Sequence, residues 1–371
     1  MSRDRTYMKR ALQLAGQGLF TTGANPRVGC VIVKNNTVIG EGFHHRTGGP
    51  HAEVNALASA SEPVEGATAY VSLEPCCHHG LTPPCTESLI GAKLRKVVIC
   101  NLDPNPVVAG QGVRALRDAG IILRHGLLAK KGEALNRGFF LRMRTGLPLV
   151  RLKLAQSLDG RTAMANGESY WITGGKARQD VQYWRARSTA ILTGIGTVLH
   201  DDCRMSVRGG ELPEKYRKLP NDFDSFQPMR VILDTALRIP ADAKILQSVG
   251  RRVVMTLAGD CAKSVMLEKQ GVEIVKMPPG PDGRPDIKAV LQWLGQQQIN
   301  EVLVESGAVL AGQFVAQNLV DELLVYTAPV IMGRSARPLL DLRFETMKQR
   351  LLLKNVKLKK LGKDWRIRAG L

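Results

Sequence analysis

The chain has 371 residues, 44% hydrophobic and 23% charged, which is too long for one ordinary core and suits a soluble globular protein of two domains. No apolar run approaches the length that crosses a bilayer, and the opening "MSRDRTYMKR" lacks the apolar core of a signal peptide, so we expect a cytoplasmic protein with no membrane partner. Lys and Arg outnumber Asp and Glu by 52 to 33, a formal charge of +19, which favours anionic partners; the surplus runs along both halves without an arginine-rich arm, as a solvated basic surface does.

From Arg5 to Gly18, Met8, Ala11, Leu12 and Ala15 fall on one face of a helix. "VGCVIVKNNTVIGEGFH" then reads as two strands joined by an Asn-Asn turn. A helix from His51, the strand "AYVSLEP", a helix from about Pro84, the strand "KVVIC" and a helix over Val113 to Ala119 complete an α/β pattern with helices on both faces of a sheet. After "RMRTGLP" the pattern restarts, so the boundary lies between Arg144 and Pro148, giving domains 1–146 and 147–371. The second half reads as strands "LVRLKLAQ", "AILTGIGTVL", "MRVILDT", "RRVVMTLA", "GVEIVK", "EVLVES" and "ELLVYTAPV", and as α/β again. "RGGELPEKYRKLPNDFDSFQP" and "MPPGPDGRPD" read as surface loops. "KNVKLKKLGKDWRIR" alternates apolar and basic residues as a half-buried strand does, its lysines discouraging edge pairing.

Seven cysteines, an odd number, argue for thiols or metal ligands over a disulfide framework. His51 and Glu53 in "HAEVNAL" are followed by "EPCCHHGLTPPC", a strand end, a Pro- and His-rich loop and a helix start. His51, Cys76 and Cys85 supply the three ligands of a catalytic zinc, with the fourth position left for water. Glu53 is placed to carry the proton from that water to a leaving amine. This is the zinc deaminase arrangement, H-x-E followed by P-C and a second Cys. The usual spacing is C-x-x-C, whereas eight residues separate Cys76 from Cys85, which leaves Cys77, His78 and His79 as rival ligands. A zinc knuckle, or cysteines without metal, is the bland alternative.

The first half carries "ANPRVGCVIV", "GPHAEVNAL", "LEPCCHHGLTPPC" and "DPNPVVAGQG", and the second carries "LKLAQSLDGRTA", "GESYWIT", "GIGTVLHDD" and "VESGAVLAG". Through these the sequence resembles the bifunctional riboflavin-biosynthesis deaminase/reductase family, in which the long loop between the cysteines is itself usual. The resemblance implies a cytidine-deaminase-like three-layer α/β/α domain and a dihydrofolate-reductase-like α/β domain. It implies zinc-dependent deamination of a phosphoribosylated diaminopyrimidinone, then reduction of the ribosyl chain to ribityl with NADPH. It matches the zinc ligands to His51, Cys76 and Cys85 and the proton shuttle to Glu53, and it leaves Asn25 and His44 as candidate substrate contacts.

The reductase half is less eloquent when read alone, because hydride chemistry belongs to the cofactor. "GQGVRA" follows a loop instead of a strand and reads as a chance match to a dinucleotide motif, and "TGIGTVL" lacks a third glycine. "VLVESGAVLAGQF" runs from a buried strand through glycine into a helix whose free N–H groups suit a cofactor phosphate, a plain strand-to-helix turn being the alternative reading. The resemblance assigns the cofactor to Ala155, Trp171, Thr197, Asp201, Thr235 and the run Gly307, Ala308, Val309, Leu310, Ala311, Gly312 and Gln313. It assigns the substrate to Ser169, Arg185, Met205, Arg208 and Glu305, the two arginines suiting its phosphate. Lys153 and Asp159 fit either the site or the core. Where the family has Asp-Asp-Pro, this chain has "DDCRMSVR", with Cys203 in place of proline. The expected partner is a small molecule, with no nucleic acid, and the expected assembly is a homo-oligomer. The competing readings are a nucleic-acid-binding protein built on a deaminase-like zinc fold, supported by the charge, and a nucleoside or tRNA deaminase, for which the cysteine spacing is wrong.

Overall fold

Val-, Ile- and Leu-rich runs bounded by Gly, Pro and Asn build two large sheets, one in each of two compact units that part between Gly146 and Leu147, and a two-stranded ribbon lies in the second. The computed structural model describes residues 3–371 except positions 81, 107, 170, 220–222 and 224–225. Leu81, Val107 and Tyr170 of the motifs quoted above, and part of the 208–228 loop, therefore lie outside the described residues. No helix among the described residues is long and apolar enough to cross a membrane.

The first unit opens with α1 (Arg3–Ala15), β1 (Gly29–Lys34), β2 (Thr37–Phe43), α2 (Ala52–Ala58) and β3 (Thr68–Val71). It continues with α3 (Cys85–Gly91), β4 (Lys96–Ile99), α4 (Gln111–Asp118), β5 (Ile122–His125), α5 (Ala129–Leu135) and α6 (Arg137–Thr145). Asn35 and Asn36 both take positive φ, which closes the β1–β2 hairpin tightly. The sheet runs β2-β1-β3-β4-β5, antiparallel across β1 and parallel from β3 to β5. Alternation along the strands splits the core into two layers. Met8, Ala11 and Leu14 of α1 pack on Val31, Val33, Tyr70 and Val98, while Ala52, Ala56, Leu89 and Leu116 pack on Ile32, Ala69, Val97 and Ile99. This is the three-layer order expected; β5, α5 and α6 were not legible in the sequence. α1 ends at Ala15, with a 3₁₀ turn over Gly16–Gly18.

The second unit comprises β6 (Leu149–Gln156), β7 (Arg161–Ala163), α7 (Gly175–Arg187), β8 (Ala190–Gly194), α8 (Ile195–Asp201) and α9 (Glu214–Arg217). Next come β9 (Met229–Leu233), α10 (Lys244–Gln247), β10 (Arg252–Thr256), α11 (Ala262–Lys269), β11 (Glu273–Lys276) and α12 (Ile287–Gln296). The chain ends with β12 (Glu301–Glu305), α13 (Ala308–Ala316), β13 (Glu322–Thr327), β14 (Arg337–Pro338), β15 (Lys354–Leu361) and β16 (Asp364–Gly370). Nine strands lie in the order β11-β10-β9-β8-β12-β6-β13-β16-β15, parallel except for β16, which runs antiparallel to both its neighbours. Two expectations are corrected here. "AILTGIGTVL" is strand only to Gly194 and then helix α8, because Gly194 caps the helix in extended conformation. The C-terminal basic run is a hairpin turning at Gly362, and its outer strand β15 is exposed, not half-buried.

α7 is tied to this sheet by charge as well as packing. Asp180, 4% exposed at its side chain, accepts from Trp184 Nε1, the Tyr326 hydroxyl, Lys359 and Arg366. Such a buried carboxylate is tolerated because two cations and two neutral donors face it, three of them on Oδ2 and Lys359 on Oδ1.

Candidate active sites

His51 caps α2 in an extended conformation, so its ring leaves the helix end and Glu53 sits in the first turn behind it. Gly40 and Gly42 on β2 let this helix approach: a Cβ on Gly42 would stand 2.4 Å from the Ala56 nitrogen. Cys76 follows β3, and Cys85 is the first residue of α3 after Pro83 and Pro84. Their donor atoms converge within 4.8 Å of one another. The imidazole Nδ1 lies 3.2 Å from Cys85 Sγ and 3.5 Å from Cys76 Sγ, and the Cys85 backbone N–H points at Cys76 Sγ. The rivals Cys77, His78 and His79 are not in the cluster, and both histidines are exposed.

Hydrogen bonds from Cys85 and His51 pull the Cys76 thiol far below its ordinary range, to about 4, while the Cys76 thiolate pushes Cys85 up. One thiolate is therefore ready, and the second is held back by repulsion that a cation relieves. The donor set of one imidazole and two sulfurs fits zinc. Glu53, 3% exposed, is raised by burial and lies against Cys85, beside the three ligand atoms. His44 is buried, and burial lowers its pKa; its ring nitrogens lie 3.1 Å from the Pro50 carbonyl and 3.1 Å from the Asn25 side-chain nitrogen, and its ring stands edge-on to His51.

Two residues of this site escaped the sequence reading. Glu74, 4% exposed, accepts from the backbone N–H groups of Asp103, Gly110 and Val113 and so pins the "DPNPVVAGQG" loop beside Cys76. Burial raises Asp103 on that loop to about 6. Thr82 lies 3.4 Å from His51 Nε2. A buried Glu directly before Pro-Cys was the available signal for the first.

In the second unit, Ala155, Thr197, Thr235, Glu305 and Gly307 stand at or just beyond the C-terminal ends of the parallel strands β6, β8, β9 and β12. That is where open α/β sheets bind ligands. Gly307 caps α13 in extended conformation, and Asp201 closes α8. Trp171 is 69% exposed, with the Arg178 guanidinium 4.5 Å from its ring centre, and Ser169 is half-buried on the same loop. Arg185 grips Glu305 and touches Met205 Sδ, whereas Arg208 pairs with Glu211 on the surface. Met205 itself is buried in the left-handed region at φ 50°, within the segment where Cys203 stands. Lys153 lies 3.7 Å from Glu305, inside this cluster. Asp159 instead clamps a turn, accepting from the Met332 and Gly333 N–H groups.

Residues 148–367 match the RibD C-terminal domain, and residues 1–101 match the cytidine and deoxycytidylate deaminase zinc-binding region. The chain is 48% identical to the riboflavin biosynthesis protein RibD of Escherichia coli (strain K12), over 92% of this chain and 91% of that one. The chain belongs to the RibD family of bifunctional riboflavin-biosynthesis enzymes. Acinetobacter baumannii RibD superposes with a TM-score of 0.90 at 46% identity, covering 99% of this chain and 98% of that structure. A Thermotoga maritima diaminohydroxyphosphoribosylaminopyrimidine deaminase/5-amino-6-(5-phosphoribosylamino)uracil reductase superposes at 0.85 with 31% identity and the same coverage. The protein is thus a zinc-dependent deaminase and an NADPH-dependent reductase in one chain.

Proposed function

We propose that residues 1–146 hydrolyse the 2-amino group of 2,5-diamino-6-(5-phosphoribosylamino)pyrimidin-4(3H)-one and that residues 147–371 reduce the ribosyl chain of the resulting uracil to ribityl, the pair of activities named for the Thermotoga maritima relative. The observation that carries the deaminase is the convergence of His51, Cys76 and Cys85 beside a buried Glu53. Zinc held there supplies hydroxide at neutral pH by acidifying water. Glu53 would take the proton from that water and deliver it to the 2-amino nitrogen, so that a C–O bond forms at ring carbon C2, the exocyclic C2–N bond breaks and ammonia leaves, the ring staying intact. Its burial excludes bulk water from competing for that proton.

NADPH, when bound to the second unit, supplies hydride. Gly307 to Leu310, at the start of a nine-residue helix, offer free backbone N–H groups to its phosphates, with Ala311, Gly312 and Gln313 continuing that helix, and Ala155, Trp171, Thr197, Asp201 and Thr235 hold the rest of the cofactor. Ser169, Met205, Glu305 and the guanidinium groups of Arg185 and Arg208 face the substrate, the arginines gripping its phosphate. Asn25 contacts the pyrimidine in the deaminase, oriented by His44.

The partner in this reading is a small molecule and not nucleic acid. Seven free cysteines suit the reducing cytoplasm. A homo-oligomer is supported by β15, an outer strand whose Val356 and Leu358 are exposed next to Leu351, Leu352 and Leu353. Incubating the zinc-loaded protein with the diaminopyrimidinone phosphate tests the whole reading. Without NADPH the deaminated ribosyl compound should accumulate, and with it the ribityl compound should form. Oxidation of NADPH before any deamination, or no ammonia release, would overturn the proposed order.

A further inference from the structure

We infer that Thr82 is a positioning residue of the deaminase: its hydroxyl accepts the Nε2–H of His51 and so holds the imidazole in the tautomer that turns a bare Nδ1 toward the two cysteines. The inference rests on the ligand reading above. It starts from the ring itself. His51 Nδ1 lies 3.2 Å and 3.5 Å from the sulfurs of Cys85 and Cys76, so Nδ1 is the atom that faces a metal in this site. A neutral imidazole carries one proton, and a lone pair on Nδ1 requires that proton to be on Nε2. His51 is half-buried, so the Nε2–H needs an acceptor; Thr82 Oγ1 stands 3.4 Å from it. Ligating histidines are held by such an outer partner, which fixes both the tautomer and the ring angle.

The length of the Cys76–Cys85 loop gives this contact its meaning. A two-residue spacer returns directly from one sulfur to the next and has no residue to send around the imidazole. Eight residues do. The loop is closed at its base by Thr86 N–H donating to the Cys76 carbonyl at 3.1 Å, and turned near its tip by Gly80 N–H donating to the Thr82 carbonyl at 3.2 Å. Thr82 thereby meets the Nε2 edge of the ring while the sulfurs face Nδ1. The departure from the short spacing thus does structural work at the metal ligand.

The test is zinc affinity of the full-length protein, measured by competition with a chromophoric chelator, for the parent, Thr82→Val, Thr82→Ser and His51→Ala. Valine keeps the shape and removes the acceptor, so Thr82→Val should bind zinc roughly 10- to 100-fold more weakly. Serine restores the hydroxyl, and Thr82→Ser should stay within about threefold of the parent. Parental affinity in Thr82→Val overturns the inference. So does equal weakening in both variants, which would make the methyl group or the loop's packing responsible. Stoichiometric zinc in His51→Ala would instead remove His51 from the ligand set, a different failure that the Thr82 variants alone do not produce.

Discussion

Arg185 holds Glu305 in a fork, Nε to Oε1 at 2.6 Å and Nη2 to Oε2 at 3.0 Å, with Lys153 3.7 Å from the same carboxylate. Burial alone would raise Glu305, but the two cations outweigh it and hold the group at about 2. A carboxylate whose folded pKa lies below its unfolded value of about 4.3 stabilises the fold fully above that value. The contribution disappears as pH falls toward 2, and amounts to on the order of 3 kcal/mol. All four tryptophans lie in residues 147–371, so tryptophan fluorescence during urea unfolding reports this unit. Stability should fall as pH drops from about 5 to about 3, and Glu305→Gln, though less stable throughout, should show a shallower slope. An unchanged slope would mean that the cations do not depress Glu305.

The metal site makes a stoichiometric prediction. The parent should carry one zinc per chain, and His51→Ala, Cys76→Ala and Cys85→Ala should each lose it, because two remaining protein ligands rarely hold zinc against buffer and free thiols. Elemental analysis of the purified variants checks this. Zinc retained by all three would direct attention to Cys77, the half-buried neighbour of Cys76.

Glu53→Gln separates binding from chemistry. The amide keeps the shape of the side chain, so zinc should remain. It cannot carry a proton between water and amine, so ammonia release should fall by at least two to four orders of magnitude. Reduction of substrate that is already deaminated should continue at the parental rate. Deamination within about tenfold of the parent would remove Glu53 from the reaction.

The deaminase site was legible because its chemistry is local. H-x-E and Pro-Cys each lie within a few residues, and the turn and helix start that aim them follow from Gly40, Gly42, Pro83 and Pro84. What pins those pieces was hidden, since Glu74 and Thr82 act through contacts 29 or more residues away, on backbone N–H groups or a ring edge that no motif marks. The reductase ends of β6, β8, β9 and β12 were legible as apolar runs ending in Gln, Gly, Thr or Glu. The helix α8 was not, because "IGTVLHD" is as apolar and β-branched as the strand before it and only the Gly194 cap separates them. β5 was missed for a related reason: "ILRH" is a largely exposed edge strand with no buried alternation to read.

The two arginines assigned to the substrate phosphate differ in a way that kinetics can read. Arg208 pairs with Glu211 at the surface, where an ion pair contributes little and either group is free to exchange its partner. Arg185 is largely buried and its partner Glu305 is 5% exposed, so removing Arg185 strands a carboxylate away from water. Arg208→Ala should therefore raise KM for the deaminated substrate by the loss of one charged hydrogen bond, about 1.5 to 3 kcal/mol or roughly 10- to 150-fold, and leave KM for NADPH and urea stability near parental. Arg185→Ala should raise the same KM and also destabilise the unit by about 3 to 5 kcal/mol, because Glu305 is left buried without its main partner. Measuring KM for both ligands together with the unfolding midpoint distinguishes the roles. A rise in KM for NADPH equal to that for substrate in Arg208→Ala would move this residue from the substrate phosphate to the cofactor. Full stability in Arg185→Ala would show that Lys153 alone suffices to neutralise Glu305.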